Sequence, residues 1–245
     1  MRADFWRAWA GAALALLYPE NCQLCLKARA TPAEGFVCSE CRGGARLIKP
    51  PFCQQCGRPF PGAITVEFTC SVCQGAGWKF VRARSAAEAK GPVLEVIHRY
   101  KYARALWFEP FLAGLLIQQA LPEVGRGEFD CVVPVPLHPV KQREREFNQA
   151  ERLARRLAAA ARLPLNPKAV VRVAPTRTQT LLTREERLAN VRRAFAPRPG
   201  ARLNGARVLL VDDVLTTGAT TSACAGALLA AGAASVCVWT VARGI

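Results

Sequence analysis

The hydrophobic positions divide the chain into three parts. An apolar run over residues 10–18 follows two arginines, and we predict an amphipathic N-terminal helix over residues 1–19. Residues 20–80 lack apolar periodicity and are rich in proline, glycine and cysteine, so hydrophobic burial alone cannot fold them. Residues 81–245 alternate apolar runs with helical periodicity. This strand and helix rhythm predicts an α/β domain with a parallel sheet flanked by helices.

Within residues 81–245 the apolar pattern predicts individual elements. Helical periodicity runs from residue 83 to residue 120, and Pro110 marks a break or a second start. The next elements are a buried strand over 130–136, a helix over 148–162 and a strand over 168–173. Thr183 and Glu186 then form a capping-box pattern, which predicts the start of a helix that runs to about Arg193. A final β-α-β unit comprises a strand over 208–211, a helix over 220–231 and a strand over 235–241.

Eight of the eleven cysteines form four C-x-x-C pairs in the proline-rich segment. These are Cys22/Cys25, Cys38/Cys41, Cys53/Cys56 and Cys70/Cys73. Each pair offers two thiolates to one metal ion, and two pairs complete the closed tetrahedron of a structural zinc site. Joining sequential pairs closes the shorter loops, so we predict two zinc ions, one on the first four cysteines and one on the last four; an interleaved pairing stays open. Metal binding then replaces the missing core.

The cysteine pattern also indicates the compartment. Metal-binding thiols require reducing conditions, which predicts a cytoplasmic protein. A secretory leader is disfavoured because no small-residue cleavage site lies between the N-terminal apolar run and Cys22. No apolar run reaches the ~18 residues of a membrane span. The remaining cysteines lie in predicted strands or a helix, and we expect buried core thiols at Cys131, Cys224 and Cys237.

A polar loop after the buried strand at 208–211 carries the most informative chemistry. The strand ends in Asp212 and Asp213, and the sequence Thr-Thr-Gly-Ala-Thr follows at residues 216–220, ahead of a helix. Gly218 lets the backbone approach a ligand closely, and N–H groups at a helix N-terminus bind phosphate. Adjacent carboxylates accept hydrogen bonds from vicinal hydroxyls. The pattern therefore predicts a site for a ribose whose 5-phosphate lies in the loop; an ordinary capped turn does not explain both acids and three threonines.

The sequence VLLVDDVLTTGAT at residues 208–220 resembles the ribose-phosphate motif of type I phosphoribosyltransferases. The stretches PVPLHPVKQREREFNQA, RVAPTRTQ and RLANVRRAF, with the four cysteine pairs, resemble the ComF family of competence and GntX-like proteins over nearly the whole chain. The resemblance implies a double zinc ribbon at residues 20–80 and a type I phosphoribosyltransferase-like domain at residues 81–245. It also implies that Asp212 and Asp213 hold the ribose hydroxyls and that Mg²⁺ accompanies phosphoribosyl pyrophosphate. The residues implied for the 5-phosphate are Thr216, Thr217, Gly218, Ala219 and Thr220.

Basic residues ahead of this motif are candidates for binding pyrophosphate. Lys141, Arg143 and Arg145 form a predicted clamp, and the alternative is a solvated basic loop. Family members usually have Arg-Gly-Phe-Asn-Gln here, whereas this chain has Glu146 in place of glycine. A carboxylate beside pyrophosphate repels it, which bears on turnover more than on ribose binding. A loop that closes over substrate is expected after the strand at 168–173, with the candidates Arg172, Thr176, Arg177 and Gln179.

Two neighbouring positions match the family without an obvious chemical role. Lys101 and Tyr102 correspond to its Lys-Tyr pair, and a tyrosine on a helix face predicts a core residue at Tyr102. His98 and His138 lack an evident acidic partner and are expected to be structural.

The chain is strongly basic, with 34 lysines and arginines against 18 acids and a formal net charge of +16. Two four-thiolate zinc sites lower this charge to about +12. The charge predicts a polyanionic partner, either nucleic acid or a phosphorylated substrate; an arginine-rich composition without functional meaning is the alternative. The arginines cluster at Arg152, Arg155 and Arg156, which share one helix face, and at Arg184, Arg187, Arg192 and Arg193.

Two functional hypotheses follow. The first is a phosphoribosyltransferase linked to DNA uptake or nucleotide salvage, which binds phosphoribosyl pyrophosphate or a nucleotide and whose acceptor the sequence does not identify. The second is a non-catalytic protein that handles single-stranded DNA and uses the ribose site as a sensor. The resemblance implies competence-machinery proteins as partners in either case.

Overall fold

The computed structural model describes residues 20–62, 64, 66–124, 127–174 and 194–245. The predicted N-terminal helix over 1–19 and the capping-box helix at 183–193 lie outside these residues. So do the candidate loop residues Thr176, Arg177 and Gln179, and the arginine group at residues 184–193.

The described residues contain a four-stranded parallel sheet, a separate antiparallel strand pair and six α-helices. The strands are β1 (Ala83–Glu88), β2 (Cys131–Pro134), β3 (Val170–Arg172), β4 (Phe195–Pro197), β5 (Arg207–Leu215) and β6 (Ser235–Arg243). The α-helices are α1 (Ser39–Gly43), α2 (Gly91–Tyr102), α3 (Glu109–Val124), α4 (Pro139–Arg145), α5 (Gln149–Ala161) and α6 (Ala219–Ala230). Short 3₁₀ turns lie at Pro32–Glu34 and Leu106–Phe108.

The main sheet has the strand order β1-β6-β5-β2, and every neighbouring pair is parallel. Apolar side chains of β5 alternate between its faces: Leu209 and Val211 pack with α2, α3 and α5, whereas Val208 and Leu210 pack with α6. Burial on both faces explains the continuous apolar run of this strand. The carboxyl ends of the strands meet at one edge, where open α/β sheets bind ligands. The fold is therefore the predicted α/β class, and the thiols predicted for its core, Cys131, Cys224 and Cys237, are buried.

The structure corrects the predicted start of the first helix. Residues 83–88 are strand β1, with Ala83 opposite Val238 of β6. Alanine favours helices in isolation, but Ala83, Ala86 and Ala87 are fully buried in the sheet, and this pairing outweighs local propensity. Pro110 is the second residue of α3, so the predicted second start is confirmed.

The second half of the cysteine-rich segment packs on β1, an edge strand of the sheet. The N–H of Ala83 donates to the carbonyl of Gln55 at 2.7 Å. Arg84 donates through Nη1 to the carbonyl of Gln54 and through Nη2 to its Oε1, both at 2.8 Å. Gly57 has a φ of 66°, and a Cβ at this position lies 2.6 Å from the carbonyl oxygen of Ala83. Only glycine allows the chain to approach β1 this closely.

The first half of the cysteine-rich segment packs elsewhere, on α2 and α3. Arg99 of α2 donates through Nη1 to the carbonyl of Gln23 at 2.6 Å. The guanidinium of Arg42 lies 5.2 Å from the ring centroid of Phe111 in α3. The two halves of the segment therefore contact different parts of the α/β domain.

Candidate functional site

The paired cysteines form two clusters of four sulfur atoms. The first cysteine cluster is Cys22, Cys25, Cys38 and Cys41, the second is Cys53, Cys56, Cys70 and Cys73, and the sulfur atoms of each lie within 4.8 Å of one another. The Sγ atoms of Cys25 and Cys38 are 3.8 Å apart, as are those of Cys56 and Cys70. Tetrahedral zinc with Zn–S bonds of ~2.3 Å places its sulfur ligands about 3.8 Å apart. The geometry fits one closed zinc site in each cluster, with sequential pairs together.

Backbone N–H groups surround the cluster sulfurs. The N–H of Cys38 donates to Cys22 Sγ at 3.4 Å, and that of Cys70 donates to Cys53 Sγ at 3.3 Å. Burial raises the pKa of Cys22, but backbone hydrogen bonds outweigh it and lower that pKa to about 6. The same balance lowers the pKa of Cys53 to about 7. These hydrogen bonds favour the thiolate, which is the form that binds metal.

A cleft of about 590 Å³ lies at the carboxyl ends of the sheet strands. It brings together the carboxylates Asp212 and Asp213 and the threonines Thr216 and Thr220. Among the predicted cations, Lys141, Arg145 and Arg172 line the same cleft. Arg143 instead lies with Glu146 on a neighbouring part of the surface.

The two carboxylates of the cleft are in different environments. Asp213 is 6% exposed, and its Oδ2 lies 2.6 Å from Nζ of Lys101, which α2 supplies. Asp212 accepts a hydrogen bond at 2.9 Å from the N–H of Asp213. Desolvation and the charge of Asp213 raise the pKa of Asp212 to about 8, and Lys101 acts against this rise. Asp212 therefore releases its proton less readily than a free carboxyl group does.

The phosphate loop, residues 216–220, turns from β5 into α6. Gly218 is the N-cap residue of α6 and has a φ of 82°, which glycine adopts at low cost. Thr217 Oγ1 accepts a hydrogen bond from the N–H of Ala219 at 3.4 Å. Thr216 and Thr217 are exposed. The loop thus presents hydroxyl groups beside the positive end of a twelve-residue helix, an arrangement suited to an anion.

A buried arginine at the end of β6 holds the start of this loop. Arg243 Nη1 donates to the carbonyls of Leu215 and Gly244, both at 2.8 Å, and also contacts the carbonyl of Thr216. A Cβ on Gly244 lies 3.1 Å from Thr216 Cγ2, so the chain after β6 packs tightly on the loop. Arg243 was not predicted from the sequence, because only the pairing of β5 with β6 brings it opposite Leu215. The one local sign of its role in the sequence is that a charged residue follows the apolar strand predicted over 235–241.

The backbone conformation of Glu146 explains why family members usually have glycine at this position. The Glu146 side chain does not line the cleft. Glu146 ends α4 with a φ of 68°, in the left-handed region that glycine favours. Its carboxylate pairs with Arg104 Nη1 at 2.5 Å. This ion pair holds the negative charge on the surface beside Arg143, away from the residues that line the cleft.

Further side chains of α2 and α5 line the cleft. The predicted core position of Tyr102 is wrong: it is 71% exposed, because α2 buries the face of Val93, Ile97 and Tyr100 and Tyr102 points away from it. The guanidinium of Arg145 lies 5.2 Å from the Tyr102 ring. The further cleft residues are His98, Lys101 and Gln149. Gln149 is 3% exposed, and its Oε1 has no hydrogen-bond partner among the described residues.

The arginines of α5 are engaged in ion pairs. Arg156 Nε lies 2.8 Å from Glu109 Oε1, and Arg152 pairs with the other oxygen of the same carboxylate. Arg155 pairs with Glu151 at 3.0 Å. This helix face therefore carries less unpaired positive charge than its sequence indicates.

Comparisons with known proteins agree with both parts of this architecture. A family model described as a double zinc ribbon domain matches residues 13–75, which include all eight clustered cysteines. The DNA utilization protein YhgH of Escherichia coli K12 is 32% identical over 231 residues, covering 93% of this chain and 99% of that protein. The chain belongs to the ComF family. Two further ComF-family relatives are competence protein F of Haemophilus influenzae, 31% identical over 85% of this chain and 97% of its own, and competence protein ComFC of Bacillus subtilis, 28% identical over 84% of each.

The ComF-family match extends through the parallel sheet and the cleft, since it covers 93% of the chain for YhgH. Among the described helices, none has both the length and the apolar character needed to cross a bilayer.

Proposed function

We propose that this ComF-family protein binds the ribose 5-phosphate group of phosphoribosyl pyrophosphate or of a nucleotide and serves the uptake or use of DNA. The observation that carries the proposal is that Asp212 and Asp213 line one cleft with Thr216 and Thr220 of the phosphate loop. The names of the relatives, DNA utilization protein and competence protein, support the link to DNA. We assign ligand binding to residues 81–245 and the ribbon to residues 20–80, because the first strand of the sheet begins at Ala83.

The chemistry of the cleft suits a molecule with a phosphate at one end and vicinal hydroxyls at the other. The amides at the start of α6 and the loop threonines are donors, as a phosphate requires. Asp212 and Asp213 are acceptors, as ribose hydroxyls require. Lys101 offsets the charge of Asp213 and thereby limits repulsion between the carboxylates and the phosphate.

Metal ions enter the proposal in two ways. The cysteine clusters fit two structural zinc ions, which stabilise a segment with little apolar core of its own. The carboxylate oxygens of Asp212 and Asp213 are the ligand type that Mg²⁺ prefers, and magnesium usually binds through one or two carboxylates together with substrate phosphates. Magnesium held by Asp212 and Asp213 would neutralise part of the charge of the pyrophosphate.

Transfer requires the bond between ribose C1 and the pyrophosphate oxygen to break, with both electrons leaving on pyrophosphate, while an acceptor nucleophile bonds to C1. Positive charge develops on the ribose in this step, and negative charge develops on the leaving group. Lys141 and Arg145 line the cleft and are the candidates that stabilise the leaving pyrophosphate. Arg172 lines it too and is a candidate to cover the substrate, together with Gln179, which lies outside the described residues.

Calorimetry with ribose 5-phosphate, and with ribose and inorganic phosphate separately, tests the binding proposal. Ribose 5-phosphate should bind at least about tenfold more tightly than ribose or inorganic phosphate alone, since only the intact ligand uses both halves of the cleft. Asp213→Asn should remove this advantage. The matched control is Asp130→Asn, a surface carboxylate that pairs with Arg207 at the opposite end of β5. Equal affinities for ribose 5-phosphate and phosphate contradict the proposal.

A turnover assay distinguishes a phosphoribosyltransferase from a non-catalytic nucleotide sensor. Pyrophosphate release from phosphoribosyl pyrophosphate should be measured over a panel of bases, amines and oligonucleotides. Rapid release with one acceptor identifies a transferase. Binding without release identifies a nucleotide sensor.

Binding of single-stranded DNA is a second candidate function, because one relative is named a DNA utilization protein and the chain is basic. The ion pairs of α5 make that helix a weaker candidate surface than the sequence suggested.

A further inference from the structure

Trp78 joins the second cysteine cluster to the phosphate loop. A Cβ on Gly218 lies 3.3 Å from Cη2 of this indole, so the ring packs against the glycine of the loop. Phe80 stacks on the indole, with ring centroids 5.5 Å apart. The N–H of Lys79 donates to Ser222 Oγ in α6 at 3.1 Å. The chain just after the second cluster therefore lies on the loop and on the first turn of its helix.

The indole also packs against the second cysteine cluster, in contact with the buried group of Cys53, Cys56 and Cys73. The buried Nε1–H of Trp78 has no acceptor in standard hydrogen-bond geometry among the described residues. A zinc-bound thiolate of this cluster would supply the acceptor that the donor lacks, as N–H groups around metal sites commonly orient their ligands.

Arg243 makes a second, separate connection. Its Nη1 binds the carbonyls at the start of the loop, at Leu215 and Thr216. Its Nε is buried and without a hydrogen-bond partner among the described residues. Arg243 therefore fixes the start of the loop from strand β6, separately from Trp78.

The first cysteine cluster provides the internal comparison. Its segment contacts α2 and α3 through Arg99 with Gln23 and through Arg42 with Phe111. Neither of these contacts involves the phosphate loop. The two clusters share the same chemistry and differ in what they support.

We propose that the second zinc site positions the phosphate loop, with Trp78 as the positioning residue that connects the second cysteine cluster to the loop. Loss of zinc from this site removes the thiolate acceptor of the indole N–H, releases Trp78 and disorders residues 216–220. Loss of zinc from the first site leaves the loop in place. The effect on ligand affinity rests on the proposed function, whereas the effect on loop order does not.

The test compares Cys70→Ser with Cys25→Ser, because both cysteines are partly exposed and each belongs to one cluster. Each variant should lose about one of two zinc ions by elemental analysis. Hydrogen exchange of residues 216–220, measured by mass spectrometry in the full chain, should accelerate in Cys70→Ser and stay at the wild-type rate in Cys25→Ser. Affinity for ribose 5-phosphate should fall at least about tenfold in Cys70→Ser only.

A variant that retains both zinc ions tests the connection itself, should a cysteine variant fail to fold. Trp78→Phe keeps a ring beside Gly218 but deletes the N–H. It should accelerate exchange in the loop, whereas Trp107→Phe, a change to an exposed tryptophan, should not. Equal loop exchange in Cys70→Ser and Cys25→Ser, or unchanged exchange in Trp78→Phe, overturns the inference. If hydrogen exchange follows the expected pattern but the protein does not bind ribose 5-phosphate, the inference about the loop is supported and the proposed function is rejected.

Discussion

Asp212 makes the stability of the protein depend on pH in a direction opposite to most acids. Its pKa rises from an ordinary 3.8 to about 8, first because desolvation disfavours its charged form and then because it lies beside Asp213. In the unfolded chain it ionises near pH 4. The favourable contribution of this group is therefore complete below about pH 4 and is lost as pH rises toward 8. We predict that Asp212→Asn stabilises the protein, and that its advantage grows between pH 6 and pH 8.

The magnitude follows from the shift. Each pKa unit corresponds to about 1.4 kcal/mol, so the two units from pH 6 to pH 8 set an upper limit of about 3 kcal/mol on the change. Interaction with Lys101 and Asp213 spreads the titration, and we expect the advantage of the variant to grow by at least about 1 kcal/mol. Asparagine keeps an oxygen that can accept the hydrogen bond from the N–H of Asp213.

Urea unfolding of wild type and variant at matched pH measures this difference. Any effect of pH on the zinc thiolates is common to both proteins and cancels. Asp130→Asn is the control, because hydrogen bonds from Arg207 lower the pKa of Asp130 to about 2 and its effect is constant over this range. An advantage of Asp212→Asn that is equal at pH 6 and pH 8 refutes the reasoning.

Three further predictions concern metal, ligand and DNA. Elemental analysis of protein purified under reducing, metal-replete conditions should find about two zinc ions per chain, and one or none contradicts the double-ribbon assignment. Asp212→Asn combined with Asp213→Asn should weaken calorimetric binding of phosphoribosyl pyrophosphate or a nucleoside monophosphate at least about tenfold, because charge-assisted hydrogen bonds are worth ~1.5 to 3 kcal/mol; unchanged affinity in the folded variant shows that the acids do not hold ribose. Single-stranded DNA should bind weakly, with a log-log salt slope of about −0.7 per phosphate contacted in fluorescence anisotropy, and no binding near 50 mM salt rejects this function.

Sequence alone predicted the features that depend on short spacing. The cysteine pairs, the central strand and the α/β class are visible because each repeats a local pattern, and the structure and the comparisons confirm the ribbon and the fold class. The roles of Asp212, Asp213 and the loop threonines stay predictions, although one cleft contains both acids together with Thr216 and Thr220.

Features that depend on distant contacts were missed. Strand β1 is rich in alanine and becomes a strand only through its pairing with β6. Lys101 meets Asp213 across 112 positions of sequence, and Trp78 meets Gly218 across 140. No local periodicity records such contacts, since side-chain patterns report which face is buried and not what covers it.

Helix α4 is fixed at both ends, and this affects how the cleft receives a ligand. His138 Nδ1 accepts from the N–H of Val140 at its start, and at its end Glu146 donates its N–H to Gln142 while its carboxylate holds Arg104. Lys141 and Arg145 are therefore preorganised: less chain entropy is lost when an anion binds between them, and less rearrangement precedes its capture.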